Sequence, residues 1–385
     1  MLTLASAREL FPLVRRCTYL NNASQAPIAT PTRAAIEAAA TELNQSGPPL
    51  DWRATLSALE AMRQRFALLV NARGAAEIAF IKNTSEGLAT VAQGLEWRSG
   101  DRVVSFECEF PANLYPWLAL RSRGVQLDLL PEAALSDLEQ IRKACRGAKL
   151  LTLSFVQFLS GFRADLEAVG GICRETGTWL VVDAIQGLGA FPVDVQRAGI
   201  HALAADGHKW LTAPEGAGLL YVAPALLEVL RPPEIGWLSV AAWDDLAASH
   251  RAALAGELNW RSGAARLECG SLNMLGLAGL DAAVHLLQQV GIAAIAEHVL
   301  ALGDQLRTGL RAFGCEILRD SDPAVRRSGI TSFRHPALAA EDVVARSGQA
   351  KIICSARNGW LRCSPHLYNS GDEIASLLAT LQSLQ

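Results

Sequence analysis

Two side chains able to act together on one chemical problem stand in separate parts of this chain. Lys209 lies in Asp206-Gly207-His208-Lys209-Trp210, and Asp183 ends an upstream apolar run, Trp179-Leu180-Val181-Val182. A lysine amine can hold an aldehyde as a Schiff base, and a carboxylate can keep a pyridine nitrogen protonated so that the ring accepts electrons. The pair points to pyridoxal 5′-phosphate as cofactor. Taken singly, Asp183 could cap a following helix and Lys209 could be a surface lysine; it is their combination and setting that speak for the coenzyme. Gln186, shortly after Asp183, is placed for its amide to donate to the ring hydroxyl.

The coenzyme's phosphate needs amides and hydroxyls. Thr84-Ser85-Glu86-Gly87 follows the strand-like run Ile78-Ala79-Phe80-Ile81 and opens a helical pattern with Leu88, Val91, Ala92 and Leu95. With Ser85 or Thr84 as N-cap, free amides and the positive end of the helix dipole face the anion. An ordinary capping motif is the other reading of this tetrapeptide. His208, beside Lys209, is a second candidate donor to the phosphate.

These residues need a scaffold. The Val-rich run ending in Asp183 reads as a strand buried on both faces of a parallel sheet, where ligands sit at the strand carboxyl ends. Further strands are expected at 78–81, 102–106, 125–130, 150–155 and 218–222, alternating with helical patterns, which predicts an α/β fold with a mostly parallel sheet covered by helices. After Pro232-Pro233 a loop leads to an Ala/Leu-rich helical stretch near 272–312, then short strands at 330–334, 351–355 and 360–364 and a helix over 372–384. The division expected is a large coenzyme-binding domain at 18–240, and a smaller α+β domain formed by 241–385 with the N-terminal segment 1–17. No internal repeat or low-complexity segment is visible.

Composition is that of an ordinary cytoplasmic enzyme. The chain has 385 residues, is 50% hydrophobic and carries a formal charge of −3. That balance gives no reason to expect nucleic acid or an anionic membrane as partner. Arg8, Glu9, Arg15 and Arg16 interrupt the N-terminus, which therefore lacks the apolar core of a signal peptide, and no run approaches bilayer length. The eight cysteines (17, 108, 145, 173, 269, 315, 354 and 363) form no CxxC pair and no cluster with histidine. Neither a metal site nor a disulfide framework is expected from them.

The chain resembles the class V aminotransferases of pyridoxal-phosphate fold type I, a family that includes cysteine desulfurases, kynureninases and isopenicillin N epimerase-like proteins. The resemblance runs from Tyr19-Leu20-Asn21-Asn22-Ala23 through Asn83-Thr84-Ser85-Glu86-Gly87 and Glu109-Phe110-Pro111-Ala112-Asn113. It continues through Val182-Asp183-Ala184-Ile185-Gln186, Gly207-His208-Lys209-Trp210 and Arg266-Leu267-Glu268-Cys269-Gly270-Ser271 to Leu361-Arg362-Cys363-Ser364-Pro365-His366-Leu367-Tyr368-Asn369. It implies that Phe110 stacks on the pyridine ring, where relatives often carry a histidine; an ordinary core phenylalanine is the alternative. It implies that Gln157 lies near the ring hydroxyl and the substrate carboxylate. Ser271 matches a position that reaches the phosphate of a neighbouring subunit, which implies a homodimer with shared sites. Arg362 matches the guanidinium that grips a substrate α-carboxylate, with Arg357 a second candidate and Asn22 placed on the substrate side. Asp206 departs from the pattern, since desulfurase-like relatives usually carry Ser or Thr there and use it on the phosphate.

The substrate implied is an α-amino acid. Lys209 is the natural acid/base at its α-carbon, and transamination, epimerisation and β-elimination all follow from the same start. Desulfurases add a nucleophilic cysteine on a mobile segment between two small-domain strands. Only Asn358-Gly359 separates Arg357 from Trp360 here, and Cys354 sits in a strand-like run. An aminotransferase-like enzyme is the favoured expectation. A cysteine or cystine C–S lyase and an amino-acid epimerase are the enzymatic alternatives, and a non-catalytic coenzyme-binding protein is the non-enzymatic one.

Overall fold

The computed structural model describes residues 2–47 and 52–384. Its centre is a seven-stranded sheet of β1 (Ile78–Ile81), β2 (Arg102–Phe106), β3 (Gln126–Leu130), β4 (Leu150–Ser154), β5 (Trp179–Asp183), β6 (Ala202–Asp206) and β7 (Gly218–Val222), in the order β1-β7-β6-β5-β4-β2-β3. Strands β2 to β6 run parallel, and β7 is antiparallel to both its neighbours. The mostly parallel α/β sheet expected from the alternating pattern is present. Strand β6 has no counterpart among the expected strands: its run Ala-Leu-Ala-Ala-Asp carries little β-branched signal, and burial between β5 and β7 overrides propensity.

The register aligns the strand ends. Ser154 of β4 pairs with Asp183 of β5, and Asp183 in turn faces Ala204 of β6, so the carboxyl ends of three strands share one edge.

Helices cover both faces. Among the helices are α1 (Thr30–Ser46), α2 (Trp52–Val70), α3 (Thr84–Gly94), α4 (Met274–Val290), α5 (Ile292–Ala312), α6 (Ala340–Gln349) and α7 (Gly371–Ser383). α3 buries Leu88 and Val91 against Ala204 and Leu220 on one face, each contributing on the order of 2 kcal/mol. Its N-terminus approaches β6 closely because residue 87 is glycine: a Cβ there would stand 2.7 Å from the Cβ of Ala204. On the other face α4 lies along α1 and buries Leu280, Val284 and Leu287. The stretch expected as one helical region near 272–312 is two helices, bent by 79° at Gly291, whose φ is +94°. Among the described residues no single helix is long and apolar enough to cross a membrane.

A second, four-stranded antiparallel sheet has the order β10-β11-β9-β8, with β8 (Glu316–Ile317), β9 (Thr331–Arg334), β10 (Ser355–Arg357) and β11 (Trp360–Cys363). It packs with α5, α6 and α7 around Leu306, Phe333, Leu361 and Leu377. The strand expected over 351–355 is split. Ile352–Ile353 pairs instead in parallel with Thr18–Tyr19, and only from Ser355 does the chain join the four-stranded sheet. That parallel pairing steers residues 20–24 between the two sheets. Ala7, Phe11 and the buried face of α4 belong to the large unit's core, while Leu302, Leu306 and Leu310 of α5 belong to the smaller unit's cluster.

Candidate active site

A cleft of about 560 Å³ opens where the ends of β5 and β6, the start of α3 and the β10–β11 hairpin converge. Lys209, Asp183, Gln186, His208, Thr84, Ser85, Phe110, Arg357 and Arg362 all line it.

Lys209 follows directly on β6 and is half-buried, with Nζ 5.7 Å from the centre of the Phe110 ring. Burial lowers its amine from 10.5 to about 8, against the pull of Asp183 and Asp206 and with help from Arg362 and Arg357. Asp183 is buried, and desolvation raises its carboxyl from 3.8 to about 6, although the Ile185 amide donates to Oδ1 at 3.0 Å and Lys209 lies near. Both shifts describe charges held in a poorly solvated cleft.

The start of α3 forms the next wall. Its N-cap is Asn83, whose Oδ1 accepts from the Glu86 amide at 2.9 Å, so neither Thr84 nor Ser85 is the cap. The reason is local: Asn83 is the last residue with extended backbone, and its short amide reaches forward over the first turn. Thr84 and Ser85 face the cleft as first-turn residues whose amides have no acceptor within the helix. Thr84 Oγ1 accepts from the Asp206 amide at 3.0 Å, locking α3 to the end of β6. Asp206 turns its carboxylate back: Oδ1 accepts from the Gly207 amide at 2.7 Å, and Oδ2 lies 2.9 Å from Nδ1 of His208.

Phe110 is 45% exposed, which sets aside the core-phenylalanine reading; its ring stands in the cleft, 5.3 Å from Phe158 and nearly perpendicular to it. Gln186 also lines the cleft. Its Oε1 accepts from Trp210 Nε1 at 2.8 Å and its Nε2 donates to the Ala23 carbonyl at 2.9 Å, leaving one N–H of the amide free.

Gln157 is placed differently from expectation. It is buried and off the cleft wall, with Nε2 donating to the Cys108 carbonyl and Oε1 accepting from the amides of Leu159 and Ser160. It braces the loops that carry Phe110 and Phe158. Asn22 is likewise behind the wall, fully buried, with Oδ1 accepting from the Tyr368 hydroxyl at 2.9 Å.

Arg362, on β11, is 2% exposed and is aimed by two bonds: one terminal nitrogen donates to the Phe158 carbonyl at 2.7 Å and the other to Ser24 Oγ at 2.8 Å. Nε is buried without a partner, and burial beside Arg357 lowers the guanidinium from 12.5 to about 10. Such an under-satisfied guanidinium suits an anion. Arg357 is exposed on the same wall. Ser271 lies elsewhere, in a separate cleft beside Lys82, Glu86 and Asn273.

Two contributors escaped the sequence reading. Ser24 holds Arg362; its signal was the polar cluster after Leu20, which shows nothing until the chain folds. Glu109 is buried next to Phe110, and it accepts from the Ser154 amide at 2.7 Å and from Asn113 at 3.0 Å, clamping the Phe110 loop to β4. Desolvation raises its carboxyl to about 7. An acid directly before Phe110 was the only trace of this in the sequence.

The donor set fits the expected coenzyme: one half-buried amine, one buried carboxylate, a helix start with free amides, an aromatic ring and an under-satisfied guanidinium.

Comparison with known proteins points the same way. The family profile described as aminotransferase class-V matches residues 18–376. A probable cysteine desulfurase of Methanothermobacter thermautotrophicus is 31% identical over 402 residues, covering 98% of this chain and 97% of its own. The apo structure of a cysteine desulfurase from Thermococcus onnurineus NA1 superposes with a TM-score of 0.88 at 26% identity, covering 100% of this chain and 98% of the other. A variant enzyme with glycine covalently linked to its pyridoxal phosphate superposes with a TM-score of 0.88 at 25% identity, covering 97% and 98% of the two chains. The same enzyme, a cystine C–S lyase, has also been seen with its product, cysteine persulfide.

Proposed function

The chain belongs to the class V aminotransferase family and is a pyridoxal-phosphate-dependent enzyme, and from that premise we propose that it acts on an α-amino acid with Lys209 as the coenzyme-binding lysine and the proton carrier. The observation that supports this best is one cleft holding an amine lowered to about 8, a buried carboxylate and an under-satisfied arginine. A protein that only bound the coenzyme would have no use for Arg362.

When bound, the coenzyme supplies an electron sink for charge left at the substrate α-carbon. Asp183 would hold the ring nitrogen, Gln186 its hydroxyl, and Thr84, Ser85 and His208 the phosphate. Phe110 would cover the ring and exclude water from that face. Arg362 would receive the substrate carboxylate with its guanidinium, aimed by the bonds to Phe158 and Ser24, and Arg357 adds positive charge at the rim. Lys209 Nζ, unprotonated in part near neutral pH, takes and returns the proton at the α-carbon.

The reaction favoured is transamination. Phe110 stands over Lys209 Nζ and carries no proton, which disfavours epimerisation through an acid opposite the lysine. C–S cleavage of cysteine or cystine is the second reading, supported by the likeness to a cystine C–S lyase. The enzyme works in the cytoplasm as a homodimer. Ser271, which lines a separate cleft, then serves the partner's phosphate.

Amino donors with keto-acid acceptors, assayed beside pyruvate and sulfide release from cysteine and cystine, separate the two. Amino transfer without sulfide supports the first; sulfide or persulfide release without transfer supports the second.

A further inference from the structure

Asp206 presents a physical problem. It is a carboxylate 4% exposed, on the wall of the cleft, next to the α3 N-terminus where an anion would sit. Unpaired, it would repel a phosphate dianion, since like charges a few ångströms apart interact strongly in a poorly solvated site.

Its hydrogen bonds show what it does instead. Thr84 Oγ1 accepts its amide and the Gly207 amide caps Oδ1, so backbone and side chain are both fixed. Oδ2 then lies 2.9 Å from Nδ1 of His208. Nδ1 is buried, and it stands close enough for charge pairing although not on a straight hydrogen-bond line. Catalytic contacts in ligand-free sites are commonly loose in this way and tighten when the ligand arrives. With Nδ1 taken by the carboxylate, Nε2 is the nitrogen left for the cleft. In the doubly protonated form the ring donates from both nitrogens at once, and its charge lies between two anions.

We propose that Asp206 is a positioning residue for the coenzyme's phosphate: it orients His208 through Nδ1 so that Nε2–H is presented to the anion, and the imidazolium offsets its own charge. A Ser or Thr at this place would donate to the phosphate directly; here the same position works one residue removed, through His208. The inference rests on the coenzyme reading above.

The test compares pyridoxal 5′-phosphate with pyridoxal, which lacks the phosphate, binding to apoenzyme. Asp206→Asn keeps an oxygen for the Gly207 amide and removes the charge. It should weaken pyridoxal-phosphate binding about ten-fold or more, the scale of a charge-assisted hydrogen bond, while pyridoxal affinity stays within about two-fold. His208→Gln should do the same, and the double variant should lose no more than His208→Gln alone, because the two act as one unit. Unchanged or tighter phosphate-ester binding by Asp206→Asn overturns the proposal, as it would mark the carboxylate as a simple repulsive charge. Equal weakening of both ligands, or fully additive losses, overturns it too, as damage to the cleft or an independent role. A wild-type protein that binds neither ligand at Lys209 defeats the coenzyme reading itself, and this proposal with it.

Discussion

Arg357 pairs directly with Trp360 across a two-residue turn, and the residues between them, Asn358 and Gly359, both have positive φ, +50° and +74°. This is the tight turn that suits the twist of a hairpin, and the Asn-Gly pair tolerates it best. A hairpin so short carries no mobile loop. Among the described residues no cysteine lines the cleft, and Cys354 is 6% exposed beside the start of β10.

Cys354→Ala should therefore retain most activity, with a modest loss of stability of about 1 kcal/mol from the buried sulfur. Mass analysis of the wild-type enzyme after turnover with cysteine should show no persulfide at position 354. A persulfide there, or an inactive Cys354→Ala variant that remains folded, would move the assignment to thiol-dependent desulfuration.

Arg362→Ala should raise the substrate KM strongly with a smaller change in kcat, a loss of about 2 to 5 kcal/mol for a buried charge pair. Arg362→Lys should recover little, because a point charge cannot replace a fork aimed by Phe158 and Ser24. Arg357→Ala, exposed at the rim, should cost less. Steady-state kinetics on all three variants checks the ranking, and an unchanged KM in Arg362→Ala removes the carboxylate role.

Much of this site was legible in the sequence, and for a physical reason. Asp183 and Lys209 sit at the ends of strands, where the chain's own order places them, and the apolar run before Asp183 announces its strand. Strand β6 did not announce itself, because alanines carry no β signal and only the neighbouring strands make Ala202–Asp206 extended. Asn83 was passed over as cap for Thr84 and Ser85, since all three types cap well and only backbone geometry chooses between them. Gln157 and Asn22 look like ligand contacts from their motifs, yet the Gln157 amide is bonded to neighbouring loops and Asn22 Oδ1 to Tyr368, with Asn22 Nδ2 left without a partner. The support of Arg362 by Ser24 joins positions 338 residues apart, a contact no local pattern encodes.

The lysine titration makes a prediction of its own. Below about 8 the Lys209 amine is mostly protonated and cannot attack, so capture of coenzyme by the apoenzyme should quicken with rising pH and level off above about 8, not near the ordinary 10.5. Asp183 holds that value up, so Asp183→Asn should move the inflection lower. Stopped-flow absorbance over pH 6 to 10, a window of about two units on either side of the inflection, reads both. An inflection near 10.5, or one that Asp183→Asn leaves in place, contradicts the electrostatic account.

The central claim is that Lys209 carries the coenzyme. Reduction of the reconstituted wild-type protein with borohydride, followed by peptide mass mapping, should place a single pyridoxyl group on Lys209. Lys209→Ala, folded to the same melting temperature within a few degrees, should carry none. A label on any other lysine of the wild type, or an undiminished label in Lys209→Ala, would contradict the account at its base.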